Sequence, residues 1–509
     1  MPEPWATRAA LAGLGLLSLA GYRLGLPRLG GHGFPIHEAY VVLSLGLFLV
    51  YLAAVTVVLR RPSADRVVLA TILGFGLLFR LAVLPSPVFL SSDLYRYLWD
   101  GRVQLAGINP YRSAPEAPEL ARLRDAEIHP RINRPTERTV YPPAAEAVFA
   151  LVAAVAPNSV VGWRVVVLGC EGATVALLLG LLRRMRTAPS AVLVYAWAPL
   201  AVLEGVQAGH VDFVMFPLLL LALGWRQAGR MTGAGLALGL AILVKLYPAV
   251  LLLVWHRRGE RRLPAACAGV VATGYLAYLG GVGPRVAGFL PRYFGTAEDF
   301  NVGLRAFLTA PVDAALNASH WEALGRCGLR FLARFGYVDP RVPIEALLPA
   351  DAEPPLRQAL GMPSADVGTL LLVQVGHEVV RGVAMFVLLA LLGAVLVRLG
   401  RRRSEGAAGV LAAGRGAVAA YLVLVPTAMH AWYAAWMLPF LTLQPSLAWL
   451  WFTGAVSLSY LKYAWGDLPV WLRLIEYLPL YGLLVWEWVA VVSTRWALHR
   501  GCGSGAAPV

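Results

Sequence analysis

Between Ser91 and Tyr111 an oily chain becomes dense with side chains that can do chemistry. Ser91-Ser92-Asp93-Leu94-Tyr95-Arg96-Tyr97-Leu98-Trp99-Asp100-Gly101-Arg102 leads into Gly107-Ile108-Asn109-Pro110-Tyr111. A positioned carboxylate, Asp93 or Asp100, can take a proton from a hydroxyl. A guanidinium, Arg96 or Arg102, can hold a phosphate. Read as a helix over 93–106, Asp93, Arg96, Tyr97, Asp100 and Gln104 fall at i, i+3, i+4, i+7 and i+11, one face. Leu94, Leu98 and Leu105 turn toward the other face. Ser91 and Ser92 offer N-cap oxygens, Gly107 suits the stop, and Asn109-Pro110 turns the chain away. Such a helix would lie along a membrane surface. Both acids also have plainer explanations. A first-turn carboxylate complements the helix dipole, and Asp100 stands i, i+4 from Arg96, the spacing of a salt bridge.

Three further clusters could supply partners. Glu204-Gly205-Val206-Gln207-Ala208-Gly209-His210-Val211-Asp212 forms a polar turn between apolar runs. Charged residues at membrane depth are costly and line cavities or mark sites, which favours a functional reading for His210 and Asp212. Glu204 is as well explained by an exposed turn, and Glu171 by structure. Lys245 sits mid-run in Lys245-Leu246-Tyr247-Pro248 and suits either snorkelling or a phosphate contact. His430 opens His430-Ala431-Trp432-Tyr433-Ala434-Ala435-Trp436, where the aromatics alone suit an interfacial belt and His430 could add a hydrogen bond to phosphate or sugar. HExxH, paired CxxC, GxSxG and P-loop lysine motifs are absent, so a nucleotide-sugar or ATP site is not supported and a membrane-dissolved donor fits better.

The elements that must position these residues are membrane helices. Of 509 residues, 58% are hydrophobic and 14% charged, where soluble chains are about 45–50% apolar and about 25% charged. Apolar runs of about 20 residues recur from 6–23 to 470–493, giving about 12–13 spans. The expected class is an all-α polytopic integral membrane protein, one transmembrane domain over 1–509. The net charge of +15 fits positive-inside loops and lipid headgroups. No soluble basic module is visible, so nucleic acid is not an expected partner. Arg401-Arg402-Arg403 belongs with the inner loops. Cys170, Cys267, Cys327 and Cys502 show neither a disulfide framework nor a zinc pattern.

Short basic loops at Arg60-Arg61, Arg183-Arg184, Arg226 with Arg230, and Arg257-Arg258 place those ends in the cytoplasm. With the N-terminus inside, three spans bring the chain out before Asp93. Residues 86–143 and 284–366 then form two large outer loops, the second carrying Arg285, Arg292 and Arg305. Run 233–255 lies between inner loops and holds Pro248, so a broken, re-entrant pair with Lys245 at its bend is expected. Segment 141–156, opening Tyr141-Pro142-Pro143, reads as re-entrant or packed at the outer face. Gly233, Gly235 and Gly239 suit close helix contact, and the tail from Gly501 to Val509 reads as disordered.

In this order along the chain, Asp93 to Arg102 with Gly107 to Tyr111, Tyr141-Pro142-Pro143, Gly209 to Asp212, Lys245 to Pro248, and Trp432-Tyr433 to Pro439 resemble the GT-C superfamily of polytopic glycosyltransferases. The likeness is to bacterial polyprenyl-phosphate-mannose-dependent mannosyltransferases, family 87-like proteins included. It implies inverting transfer of a sugar, mannose by the likeness, from a polyprenyl-phosphate donor to a glycan or lipid acceptor at the periplasmic face of the inner membrane. Asp93 matches the acidic residue that acts as general base. Relatives often carry an acidic pair there, whereas Ser92 is the neighbour here, so no obligatory metal or other cofactor is expected. Arg96, Tyr97, Asp100, Arg102, Asn109, Tyr111, Tyr141, His210, Asp212, Lys245 and His430 are the candidates for substrate binding. The competing readings are a transporter or flippase of lipid-linked sugar, and an O-antigen ligase or polymerase.

Overall fold

The computed structural model describes residues 4–28, 36–289, 300–301, 303–339, 341–347, 353–401, 406–426, 428–466 and 468–501. Arg292, Arg402, Arg403 and the tail beyond Gly501, all named above, lie outside the described residues. Among the described residues all regular structure is helical and no strand occurs, which is the all-α polytopic class expected from composition. The order begins α1 (Pro4–Ala20), α2 (Ile36–Arg60), α3 (Arg66–Val83), α4 (Asp93–Leu105), α5 (Pro143–Val155), α6 (Val160–Arg184) and α7 (Leu193–Ala196). It continues with α8 (Asp212–Gln227), α9 (Met231–Val244), α10 (Ala249–Trp255) and α11 (Arg262–Leu279).

Local chemistry sets the helix ends. Asp65 Oδ1 accepts from the Val67 and Val68 amides at 2.7 and 3.3 Å and starts α3. Ser159 Oγ accepts from Gly162 N at 2.9 Å and starts α6. Among the described residues five helices are long and apolar enough to cross a bilayer: α2, α3, α6, Val367–Arg401 and Gly406–Leu424. A sixth crossing would come from Pro189–Ala196 and Ala201–Gln207, which bend by 62°. The protein is therefore a multi-pass membrane protein. Fewer expected spans are continuous helices than apolar content alone suggests. Pro199 stands at the 62° bend, and a proline removes a ladder hydrogen bond.

The break expected at Lys245 is present. The last turn of α9 ends at Val244, Lys245 is extended (φ −149°, ψ 136°), and Pro248 opens α10. The glycines of α9 allow the close contact their spacing predicts. A Cβ on Gly239 would stand 2.8 Å from Val270 Cβ and 3.0 Å from the Cys267 carbonyl oxygen of α11.

The described chain divides into two compact units. One comprises residues 1–301, 396–422 and 428–509 and holds every candidate site residue. In it α4 is not laid out on a surface. Leu94 to Gly101 and Val103 are all buried, the polar face included. Its charged residues find partners inside the protein, so a helix amphipathic by pattern can be packed on both sides. The other unit comprises residues 302–395 and 423–427. Its helices Leu304–Ala315 and Ala318–Arg334 meet the start of Val367–Arg401, with the Trp321 ring stacked on His377 at 3.9 Å and His377 Nδ1 3.4 Å from Asp313.

Candidate active site

Two irregular stretches, 84–92 and 208–211, meet beside the start of α4, and buried side chains fix both. Arg164 of α6 is 1% exposed, and its guanidinium donates to the carbonyls of Leu84 (3.0 Å), Ser86 and Gln207. Gln207 Nε2 donates back to Pro87 O at 2.9 Å. Trp163 Nε1 donates to Gly209 O at 2.6 Å. Gly209 has φ +76°, and a Cβ there would also stand 2.7 Å from Leu94 Cδ1. Glycine is thus required on two counts. Residues 201–207 are wound wide, with Ala208 N donating to Leu203 O at 2.8 Å, the five-residue step of a π-helix. Such turns cluster at functional sites. Here the turn lets His210 fold back on its own segment, its amide donating to Glu204 O at 3.1 Å.

Asp93 opens α4 with its side chain 19% exposed. The Ser91 hydroxyl accepts from the Asp93 amide at 3.4 Å, while Ser92 makes no cap bond. Asn133 Nδ2 donates to Asp93 Oδ1. Oδ2 lies 3.7 Å from His210 Nδ1. The other ring nitrogen of His210 lies 3.3 Å from Glu204 Oε2. Glu204 Oε1 accepts from Tyr460 (2.8 Å) and Tyr40 (3.3 Å) hydroxyls. Acid, imidazole and acid therefore stand in a row from the partly open end inward.

Asp100, two turns on, is enclosed. Arg96 Nε donates to both its oxygens at 2.9 Å, and Arg96 Nη1 reaches Glu137 O at 3.0 Å. Glu146 of α5 stands close by and accepts from Thr139 Oγ1 at 2.6 Å and Gln104 Nε2 at 2.9 Å. Burial pushes the Asp100 carboxyl up and Arg96 pulls it back. Burial, with the Asp100 charge beside it, holds Glu146 well above the usual carboxylate range.

A cationic side faces the same region. Lys245 Nζ is 3.2 Å from Asp212 Oδ2 and 5.4 Å from the Tyr433 ring centre. Trp436 Nε1 donates to Asp212 Oδ1 at 2.7 Å and stacks on Tyr247 at 3.7 Å. Four rings then form a column: His210 on Trp432 at 3.9 Å, Trp432 on His430 at 4.3 Å, and His430 on Phe300 at 4.7 Å. Lys462 Nζ caps it, 5.7 Å from the Phe300 centre. Burial, then the neighbouring His210 ring and the cations Lys245, Arg134 and Lys462, push His430 down to about 3. His430 is therefore a neutral ring in a positive field. That field suits a phosphate, and Asp93 suits a hydroxyl that must lose a proton.

Residues 21–256 match the family model described as alpha-(1->6)-mannopyranosyltransferase, N-terminal domain. That stretch is similar to the N-terminal domain of alpha-(1->6)-mannopyranosyltransferases. The likeness to mannosyltransferases read from the sequence is borne out over that stretch, and a glycosyltransferase is the class of enzyme it supports. No curated protein and no solved structure matches the chain.

The matched stretch holds Asp93, Glu204, His210, Asp212 and Lys245, while the ring column draws His430 and Trp432 from beyond it. Tyr97 lies between Asp93 and the 210–212 turn, stacked on Phe149 at 4.7 Å with its hydroxyl 3.5 Å from Val211 N. Other candidates are engaged internally. Arg102 pairs with Asp125 and donates to Leu123 O at 2.8 Å. Asn109 Nδ2 donates to Tyr278 O at 2.6 Å, and its Oδ1 accepts from Tyr111 N at 3.0 Å. Tyr111 donates its hydroxyl to Tyr141 O at 2.6 Å. Sequence reasoning missed Asn133, Tyr460, Tyr40 and the structural work of Arg164. Ile132-Asn133-Arg134-Pro135 did carry a signal, since an amide beside a proline turn in a loop is placed for side-chain contact.

Proposed function

We propose that this protein transfers mannose from a polyprenyl-phosphate donor to a hydroxyl of a glycan or lipid acceptor, with inversion, at the extracytoplasmic face of the inner membrane. The α-(1→6) linkage in the family's description is the linkage proposed for the product. The observation that carries the reading is Asp93: a partly open carboxylate, steered by Asn133, beside a positive field set by Lys245, Arg134 and Lys462. Asp93 takes the proton of the acceptor hydroxyl as its oxygen attacks the sugar carbon. The bond from that carbon to the phosphate oxygen breaks, and the electron pair leaves with the phosphate. Lys245, with its charge partly spent on Asp212, and neutral His430 hold the phosphate. Apolar helix faces accommodate the polyprenyl tail. The basic short loops support an outer position for Asp93.

The test is Asp93→Asn in the purified full-length protein, supplied with polyprenyl-phosphate mannose and mannoside acceptors. Turnover is expected to fall by about 10²–10⁴-fold, the worth of a general base. Wild-type turnover by a folded variant would overturn the assignment.

A further inference from the structure

The second compact unit, residues 302–395 and 423–427, takes no part in the chemistry above. Its depth in the bilayer can be read from Val367–Arg401, a single helix of 35 residues. At 1.5 Å per residue that helix is about 52 Å long, against about 30 Å of hydrocarbon. Residues 382–397 carry no charge and rise about 24 Å. Val383, Phe386, Val387, Leu389 and Leu391 stand exposed along them, as lipid-facing side chains do. Charge returns at Arg381 on one side and at Arg398 on the other. The hydrocarbon therefore begins next to Arg381, and the helix before it projects through the head-group layer.

Ala318–Arg334 is locked onto that projecting end. Gly325 lies under the Leu372 carbonyl and Gly376 under the Trp321 carbonyl. A Cβ on Gly328 would stand 2.6 Å from Val379 Cγ2 and 3.1 Å from Val375 Cγ1. Small residues let backbones approach this closely. Val379 and Val375 stand about 3 and 9 Å along the axis from Arg381. A head-group layer is about 5–8 Å deep, so the C-terminal half of Ala318–Arg334 is held within it or at its edge.

The residues of that half suit the place. Arg330 and Arg334 form one row at i, i+4, and Phe331 and Phe335 form the row beside it. Phe331 and Phe335 are each 62% exposed, and Tyr337 is 80% exposed. Gly336, at φ +75°, ends the helix, and the Tyr337 amide donates to Leu332 O at 3.0 Å. Arg326 pairs with Glu322 at 2.8 Å, while no carboxylate pairs with Arg330 or Arg334 among the described residues. Arg326 and Arg330 line a hollow of about 280 Å³ with an apolar wall that includes Leu329, Val342 and Leu347. Asp339 also lines it, one oxygen accepting from the Arg341 amide at 2.9 Å. Sites that enclose a whole ligand take about 300–1,000 Å³, so this one has room for a head group and leaves the chains outside. Guanidinium groups hold phosphate through paired N–H donors. The apolar wall suits the glycerol and the first methylenes, and aromatic rings gather at this depth. A zwitterionic lipid would bring its own cation against the arginines, whereas an anionic lipid brings none.

We infer that Arg326 and Arg330, with Arg334 beside them, bind the phosphate of an anionic phospholipid, and that Phe331, Phe335 and Tyr337 rest in the surrounding lipid boundary. The second unit is thereby seated on lipid of a particular charge.

Cys327 reports on the site, because it is exposed and lines a neighbouring hollow with the same two arginines. The full-length protein is placed in nanodiscs of phosphatidylcholine, alone or mixed with phosphatidylglycerol. Modification of Cys327 by a neutral maleimide is then followed by peptide mass spectrometry. Phosphatidylglycerol is expected to slow it about fivefold, the worth of one arginine at an anionic surface. Arg330→Gln with Arg334→Gln is expected to remove that difference, and Arg330→Lys with Arg334→Lys to restore part of it. Undiminished slowing in the double glutamine variant would overturn the proposal, since surface charge alone then acts on the thiol. So would equal slowing by inorganic phosphate in phosphatidylcholine discs, which makes the ligand a free anion. Slowing that requires two copies of the protein in one disc, whatever the lipid, would overturn it too and make the occupant a second chain.

Discussion

Asp93 and Asp100 sit two turns apart on one helix and on one face by pattern, yet the protein treats them oppositely. Asp100 is 2% exposed and clasped by Arg96 through both oxygens. Asp93 is 19% exposed, meets one amide donor, and looks past it at His210. A carboxylate fully met by donors is held in place and has little left to offer a substrate. A carboxylate met by one donor still has an oxygen to use. Equal residue types at helical spacing therefore say nothing about which acid reacts; the degree of satisfaction does.

That contrast can be broken or sharpened, beginning with the largest effect. Asn at 93 should abolish most turnover and leave unfolding unchanged, while Asp100→Asn should do the reverse. Removing the Asp100 charge strands the Arg96 guanidinium in a buried site, at about 3–5 kcal/mol. Unfolding in detergent reads that loss, and turnover per folded molecule should be largely kept. If Asp100→Asn instead folds normally and stops turnover, the two acids are equals. A smaller effect is expected at Lys245→Gln, which keeps a donor for Asp212 but removes the charge. Donor affinity should fall about tenfold, about 1.4 kcal/mol, with acceptor affinity unchanged; a titration showing equal donor affinity contradicts this. The smallest concerns Asp125. Burial pushes its carboxyl up, but hydrogen bonds from the Ile128 and His129 amides and from Arg102 outweigh it and hold it at about 2. Its contribution is present above the unfolded value near 3.9 and fades as pH falls through about 2. The stability gap between wild type and Asp125→Asn should accordingly be constant above about pH 4 and close toward pH 2.

The parts of this site that depend on neighbours in sequence were legible in advance. Composition gave the membrane class. The i, i+4 spacing gave the Arg96–Asp100 pair, Pro248 gave the break after Lys245, and the glycines of α9 gave its close packing on α11. What was not legible depends on residues far apart along the chain. Asn133 reaches Asp93 across 40 positions, and Tyr460 reaches Glu204 across 256. No periodicity records such pairs. The burial of the polar face of α4 was missed for the same reason. An amphipathic pattern reads as half-solvated unless the partners of its charges, Glu137 and Asp125 among them, are known. Trp432 looked like one aromatic among many, and only the column of rings distinguishes it.

Arg164 has a consequence for how such a protein is made. Its guanidinium meets carbonyls at 84, 86 and 207, with no carboxylate hydrogen-bonded to it among the described residues. When α6 first leaves the ribosome, residue 207 has yet to be synthesised. For that interval a cation enters the bilayer with part of its shell missing. The helix can settle only once the wide turn after it arrives. Assembly of the reaction centre is thereby tied to biogenesis: Asp93 and His210 come into register in the same event that relieves an unfinished span.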